Sequence, residues 1–309
     1  MAGFLTHTVF AKEVLKRINN EKLKKQIQLR MNLFILGAQG PDIFYYYFNF
    51  IFGRHKREYL QKIGSIMHTL KTGDFLKLGI EYALESADEK HKLDLITYML
   101  GFMCHFHLDS SIHPYVCFCS KNGIYKEDGN LTKVSHQDIE TSIDIIYFRE
   151  KEGKSAQKTK LHKSFNTGSV PSVVFVFLNY ALKNLFNLDI SPKTIKKCMV
   201  HMRRAFVLLY DPFGLKNTIL ISLGVNIPKP FYTAREKTNI DWLNRKRKRW
   251  HHLEDRNEIY TQSVDELYKT ALKNCSDLIT AMYQKINKKQ KLDGLFPNIS
   301  YITNKPCKN

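Results

Sequence analysis

In the segment Cys104-His105-Phe106-His107-Leu108-Asp109-Ser110-Ser111-Ile112-His113-Pro114-Tyr115, His105, Asp109 and His113 stand four residues apart. On an α-helix, residues at that spacing lie about 40° round the axis from one another, so the three side chains share one face. Imidazole and carboxylate are ligands of first-row metals, zinc above all. Further along the chain, His136 and Glu140 make a second pair at the same spacing. Such a pair offers two ligands to one ion from successive helical turns. His107 points about 200° away from His105, onto the apolar stripe, and is set aside. Of the 12 histidines, 8 fall within residues 1–140 (His7, His55, His68, His91, His105, His107, His113, His136), so imidazole is concentrated in the first half. Pro114 disfavours helical geometry at the residue before it. The helix is therefore expected to end at His113, whose ring can turn to a different ion from His105.

The elements that must position these groups read as helices. Leu93, Ile96, Leu100 and Met103 trace the stripe of a buried helix. Residues 5–29 read as a helix or helix pair, and Ser135 followed by Asp138 reads as a capping box opening a helix to about Arg149. Further helical patterns cover about 60–84, 172–186, 191–210 and 257–287. Strand signals are few; residues 218–225 read as extended, and no hairpin joins two alternating runs. The fold class is all-α, with many helices in a single domain over 1–309. Within it the metal site lies in 1–150, a Lys-rich loop over 151–169, a helical remainder over 170–287 and a basic, partly extended tail over 288–309.

Composition narrows the partners. The chain carries 48 Lys+Arg against 29 Asp+Glu, a net charge of +19, with 43% hydrophobic residues. That excludes a disordered chain and points to anionic partners such as phosphate esters, nucleic acid or a phospholipid surface. The six cysteines show no CxxC and no paired spacing, against a zinc ribbon or a disulfide framework. The first residues lack a signal-peptide core, and no apolar stretch reaches the ~20 residues that span a bilayer. The expected location is cytoplasmic or membrane-peripheral, with no obligate protein partner evident. No His-Asp dipeptide and no HExxH occur, which disfavours two other helical metal-enzyme classes.

His7, the triplet Gly40-Pro41-Asp42, His68 after Gly64-Ser65-Ile66-Met67, the H-x3-D-x3-H set and the H-x3-E pair stand in an order and approximate spacing that resembles the zinc-dependent phospholipase C family. That family shares its helical fold and trinuclear zinc site with the S1/P1-type nucleases. The resemblance covers residues 5–140, with a fainter echo in Asp241-Trp242-Leu243-Asn244 and Trp250. It implies two or three Zn²⁺ ions. Asp42, His68 and His105 would hold one, with Asp109 as a bridge; His113, His136 and Glu140 a second; His7 and Asp109 a third. In secreted members a processed N-terminal tryptophan completes the third. This sequence begins Met1-Ala2-Gly3, so the third position is expected to be empty or filled by water. For the His68 role, His55 is the alternative: it stands nearer to Asp42 along the chain, but sits in the basic run 54–57.

The implied chemistry is hydrolysis of a phosphodiester. Zinc lowers the pKa of bound water towards ~7, supplying hydroxide at neutral pH, and stabilises the charge of the pentacoordinate transition state. Asp109 would fix two metals for in-line attack, and Asp42 would accept the water proton. Residues 44–52 hold seven aromatics in nine, read either as a lip that enters lipid or stacks on a base or as core packing. Ile43 and Ser65 stand where choline-selective relatives have aromatic residues, so choline selectivity is not expected. The basic run 245–252 reads either as a phosphate- or membrane-surface patch or as a solvated helix face. The expected substrate is a phospholipid. The alternatives are an S1/P1-like nuclease, another phosphoesterase, or an inactive lipid- or nucleic-acid-binding protein.

Overall fold

A computed structural model describes residues 3–47, 54–126, 128–222 and 239–308. In chain order its helices are α1 (Phe4–Arg17), α2 (Glu21–Leu29), α3 (Met31–Gly37), a 3₁₀ turn (Gly40–Tyr46), α4 (Arg54–Thr69), α5 (Thr72–Leu84), α6 (Glu89–Asn122), α7 (His136–Glu152), α8 (Ser172–Phe186), α9 (Pro192–Leu208), α10 (Leu215–Ser222) and α11 (Val264–Asn287). Among the described residues, sheet is confined to two antiparallel pairs of two-residue strands, β1 (Ile124–Tyr125) with β2 (Leu131–Thr132) and β3 (Trp250–His251) with β4 (Ile259–Tyr260). The class is all-α. No described helix is long and apolar enough to cross a membrane.

The spine is α6, 34 residues long. Asp88 opens it by accepting the N–H groups of Lys90 and His91 at 2.8 and 3.1 Å, and Gly123 closes it at φ 97°. Between these ends it packs against α1, α3, α5, α7, α8 and α11. A helix covered on every side has to be largely apolar all round, which explains why residues 95–103 hold no charged side chain and are all buried.

The expected stop at His113 is wrong, since α6 runs through Pro114 to Asn122. An internal proline costs about 3 kcal/mol through a lost hydrogen bond and a clash with the preceding turn. Beyond it Tyr115, Val116 and Cys119 are buried, and full burial of a large apolar side chain returns about 1.5–3 kcal/mol. Tertiary packing therefore outweighs the local preference.

Other expectations shift in the same way. Residues 218–222 are helical rather than extended, as the end of α10, and 223–225 lie outside the described residues. The 151–169 loop is not merely polar: α7 extends into it, and Ala156, Leu161 and Phe165 are buried. The 288–309 segment is not a loose tail. Leu292, Phe296 and Tyr301 are buried, and Asn298 Oδ1 accepts the Gly73 and Asp74 N–H groups at the start of α5 at 2.9 and 3.1 Å.

The close crossing of α3 and α6 sets the depth of the site. A Cβ on Gly101 would stand 2.1 Å from the Phe34 carbonyl oxygen, and one on Gly37 would stand 2.0 Å from that of Tyr98. The two backbones touch there, and only glycine fits. Gly101→Ala should push α3 off α6 and lower stability by about 1–3 kcal/mol. Thermal denaturation checks this; an unchanged midpoint would mean that the backbones do not meet.

Candidate metal centre

Five elements converge on one buried cluster: α1 brings His7, the 3₁₀ turn Asp42, α4 His68, α6 His105, Asp109 and His113, and α7 His136 and Glu140. The turn that presents Asp42 needs Gly40, which has φ +51° and leaves no room for a Cβ beside the His105 ring. Helix α1 is held at its N-terminus by the buried carboxylate of Asp144, which accepts the N–H groups of Leu5 at 3.1 Å and Thr6 at 2.7 Å and the Thr6 hydroxyl at 2.5 Å. That clamp lies just ahead of His7. Asp144 continues the His136–Glu140 spacing on α7, so one helix face carries both a clamp for α1 and two groups of the cluster. The capping box opening α7 forms as expected, with the Asp138 N–H on Ser135 Oγ at 3.1 Å and the Ser135 N–H on Asp138 Oδ2 at 3.3 Å.

Four residues form the heart of the cluster. His68 Nε2 lies 3.2 Å from Asp42 Oδ1, 3.5 Å from Asp109 Oδ2 and 3.4 Å from His105 Nε2. His105 Nε2 lies 3.4 Å from Asp109 Oδ2 and 3.9 Å from Asp42 Oδ1. Ligands about 2.0–2.1 Å from a tetrahedral zinc stand roughly 3.3–3.4 Å apart. The spacing fits one ion at the centre. The rings are also turned for it: His68 Nδ1 is 2.7 Å from the Gly64 carbonyl and His105 Nδ1 is 3.3 Å from that of Ala38. With Nδ1–H donated to a carbonyl, the lone pair sits on Nε2 and faces the cluster.

A second group adjoins the first. His113 Nε2 is 3.2 Å from His136 Nε2 and 3.7 Å from Glu140 Oε1, and the His136–Glu140 pair is at 2.8 Å. The other nitrogen of the His113 ring, Nδ1, lies 3.5 Å from Asp109 Oδ2. One residue missing from the sequence reading joins this group: the ligand atoms of His113, Cys117 and His136 all lie within 4.8 Å of one another. Cys117 extends the 105–109–113 ladder by one more turn. The signal is present in the spacing, and the break expected at Pro114 hides it.

His7 completes the set. Its Nε2 stands 3.3 Å from Asp109 Oδ1, and its ring stacks on that of His105 with centroids 4.3 Å apart. The other ring nitrogen, Nδ1, makes no hydrogen bond among the described residues, although the side chain is buried. Leaving such a group unpaired costs about 1–3 kcal/mol. A cation beside it would remove that cost. His7, Asp42 and His105 also satisfy the spacing of a metal-holding group.

Burial and charge pull these groups apart. Burial raises Asp42 above the ordinary carboxylate range. Burial opposes the charged form of Asp109 too, but the surrounding histidines, His113 and His105 foremost, outweigh it and hold that carboxyl well down. His105 and His113 are pushed down by burial. Burial also disfavours a charged His68, yet the Asp109 and Asp42 carboxylates prevail and lift it to about 9. Burial pushes the Cys117 thiol up to about 11.

A model of the family described as zinc dependent phospholipase C matches residues 6–185, more than half of the chain. The chain belongs to that family. Comparison with curated proteins and with solved structures gives no match. For a zinc dependent phospholipase C the donor set is apt: imidazole nitrogens and carboxylate oxygens, buried and mutually spaced as ligands.

Other expected residues fall outside this cluster. His55 is exposed on α4 while His68 is 1% exposed, so the structure brings His68 rather than His55 to Asp42. His91 is exposed. His107 faces away from the cluster and lines a separate cavity of about 410 Å³ with Ser110, Pro114 and Lys305. Asp42 lies in the 3₁₀ turn. Of the aromatic run, Phe44 and Tyr47 are buried, Tyr45 stands beside His68 with its hydroxyl 3.1 Å from Ser65 Oγ, and 48–52 lie outside the described residues. The basic run 245–252 is no helix face. Arg245 reaches Glu150 and Asp265, Arg247 reaches Glu266, and Trp250 and His252 are buried. Nothing in the sequence anticipates Tyr301: its ring packs against those of His68 and His105, and its N–H donates to the His68 carbonyl at 2.8 Å. A contact between such distant parts of the chain leaves no local mark in the sequence.

Metal-free protein should reveal the His68 proton. Its folded pKa of about 9 lies above the ordinary 6.5, so its stabilising contribution is complete below pH 6.5 and is lost as pH rises through 9. Chelator-treated protein should therefore lose stability over that interval in denaturant titrations, and His68→Gln should flatten the decline. A wild-type curve already flat from pH 6.5 to 9 would contradict the arrangement.

Proposed function

We propose that the cluster holds two or three zinc ions and hydrolyses a phosphoric ester, with a phospholipid as substrate. The observation that carries this reading is the quartet of Asp42, His68, His105 and Asp109, whose facing atoms stand 3.2–3.9 Å apart in the pairs measured. Family membership supports zinc and the ester class. In this reading the quartet holds one ion, His113, His136 and Glu140 a second, and His7 with the Oδ1 side of Asp109 the third.

Bound zinc would activate water near neutral pH and offset the charge gathering on phosphate. Three such ions against the carboxylates of Asp42, Asp109 and Glu140 leave a local excess of about +3, suited to a phosphodiester anion. The chain's own groups do the orienting. The Gly64 and Ala38 carbonyls fix His68 and His105 as Nε2 donors. Asp109 divides its oxygens, Oδ1 towards His7 and Oδ2 towards His68, His105 and His113. In this reading Asp42 would also accept the proton of the attacking water. Solvent reaches the centre from the α7 side: the His136 side chain is 38% exposed, against 0–8% for His7, Asp42, His68, His105, Asp109 and His113. Substrate would enter there, beside Glu140.

Metal analysis of the purified protein should find two to three zinc ions per chain. Phospholipid vesicles should release diacylglycerol in a reaction stopped by chelator and restored by zinc. Asp109→Asn and Glu140→Gln should lose metal and turnover together, by at least about 100-fold. Mononucleotide release from single-stranded DNA without diacylglycerol would move the assignment to a nuclease. Full zinc with no turnover on either substrate or on a chromogenic phosphodiester would leave a binding protein and overturn the hydrolase.

A further inference from the structure

We propose that the Cys117 thiolate is a fourth protein ligand of the ion held by His113, His136 and Glu140. The proposal rests on the zinc reading above and extends it to a residue that reading does not use. Three observations carry it. First, Sγ of Cys117 and the nearest ring nitrogens of His113 and His136 all lie within 4.8 Å of one another, and Glu140 Oε1 is 2.8 and 3.7 Å from the two histidine nitrogens. Second, α6 continues past Pro114, so Cys117 sits one turn beyond His113 on the same ladder. Side chains on a helix lean back towards its N-terminus, which tilts a short residue at 117 over the turn carrying His113. Third, Cys117 stands apart from the other thiols. Cys104 and Cys275 face each other at 3.8 Å in the core and Cys198 is buried, whereas among the described residues Cys117 is the cysteine grouped with two imidazoles.

The chemistry differs from that of a His₂Glu position. As the Sγ–metal bond forms the S–H bond breaks and its proton leaves to solvent, so one extra proton is released per ion bound. Two imidazoles, one carboxylate and one thiolate complete a tetrahedral zinc and neutralise it. Four protein ligands mark a closed position, whereas an ion that carries reactive water keeps one place open. The ion beside α7 then anchors α6 to α7 and tunes the field, the local excess falls from about +3 to about +2, and reactive water belongs to the deeper ions. A thiolate also makes this position prefer zinc, cobalt or cadmium over magnesium or manganese.

Cobalt(II) reports the difference directly, because a thiolate ligand adds an intense sulfur-to-cobalt charge-transfer absorption in the near ultraviolet that nitrogen and oxygen ligands lack. Full-length protein stripped of metal and titrated with cobalt should show that band rising to one equivalent per chain. Cys117→Ser should lose it while cobalt still binds at the remaining positions, and Cys198→Ser should keep it. Independently, zinc should shield Cys117 of the wild type from iodoacetamide, read by peptide mass spectrometry against chelated protein. Stoichiometric cobalt without the band, a band that survives in Cys117→Ser, or equal alkylation with and without zinc would each overturn the thiolate assignment and leave the zinc reading standing. Failure to bind cobalt or zinc at all would overturn both.

Discussion

A carboxylate with no solvent exposure sits in the middle of the longest helix, and much of the surrounding architecture answers to it. Asp109 is held among His7, His68, His105 and His113, each within 3.3–3.5 Å of one of its oxygens. Removing such a charge from water costs several kcal/mol unless it is met by opposite charge and donors. Four histidines from three helices meet it. In the absence of metal, a proton on His68 balances part of the charge; in the proposed holoprotein, cations do. The same carboxylate that makes the cluster costly to bury makes it receptive to divalent ions.

The helices around Asp109 are arranged to keep those rings in place. Contact between the α3 and α6 backbones at Gly37 and Gly101 sets the Ala38 carbonyl against His105 and starts the turn that delivers Asp42. Asp144 fixes the first turn of α1 and through it His7. The order of effects is therefore packing first, orientation second and ligand geometry last. A site this deep depends on groups that never touch an ion.

The residues brought together in the structure are largely legible in the chain because they obey local rules. Fourfold spacing on α6 and α7 is a property of neighbouring residues, and so is the capping box at Ser135. The failures share the opposite cause. The local preference of Pro114 argues for a stop, while burial of Tyr115, Val116 and Cys119 carries the helix onward and Cys117 with it. Asp144 gives no signal because its partners lie 138 and 139 residues away, and the value of the 288–309 segment depends on contacts with α4 and α5. Even the +19 charge changes meaning: some of the basic residues that suggest an anion-binding surface, Arg245 and Arg247 among them, are already paired with carboxylates of the same chain.

Tyr301 gives the fold a temporal dimension. It caps the His68 carbonyl at the end of α4 and covers the His68 and His105 rings, yet it is translated long after either of them. During synthesis the helices bearing the cluster can dock as they emerge, while the flank later sealed by Tyr301 stays open. The packing that covers the His68 and His105 rings is therefore completed last, by residues made well after the helices that carry those rings.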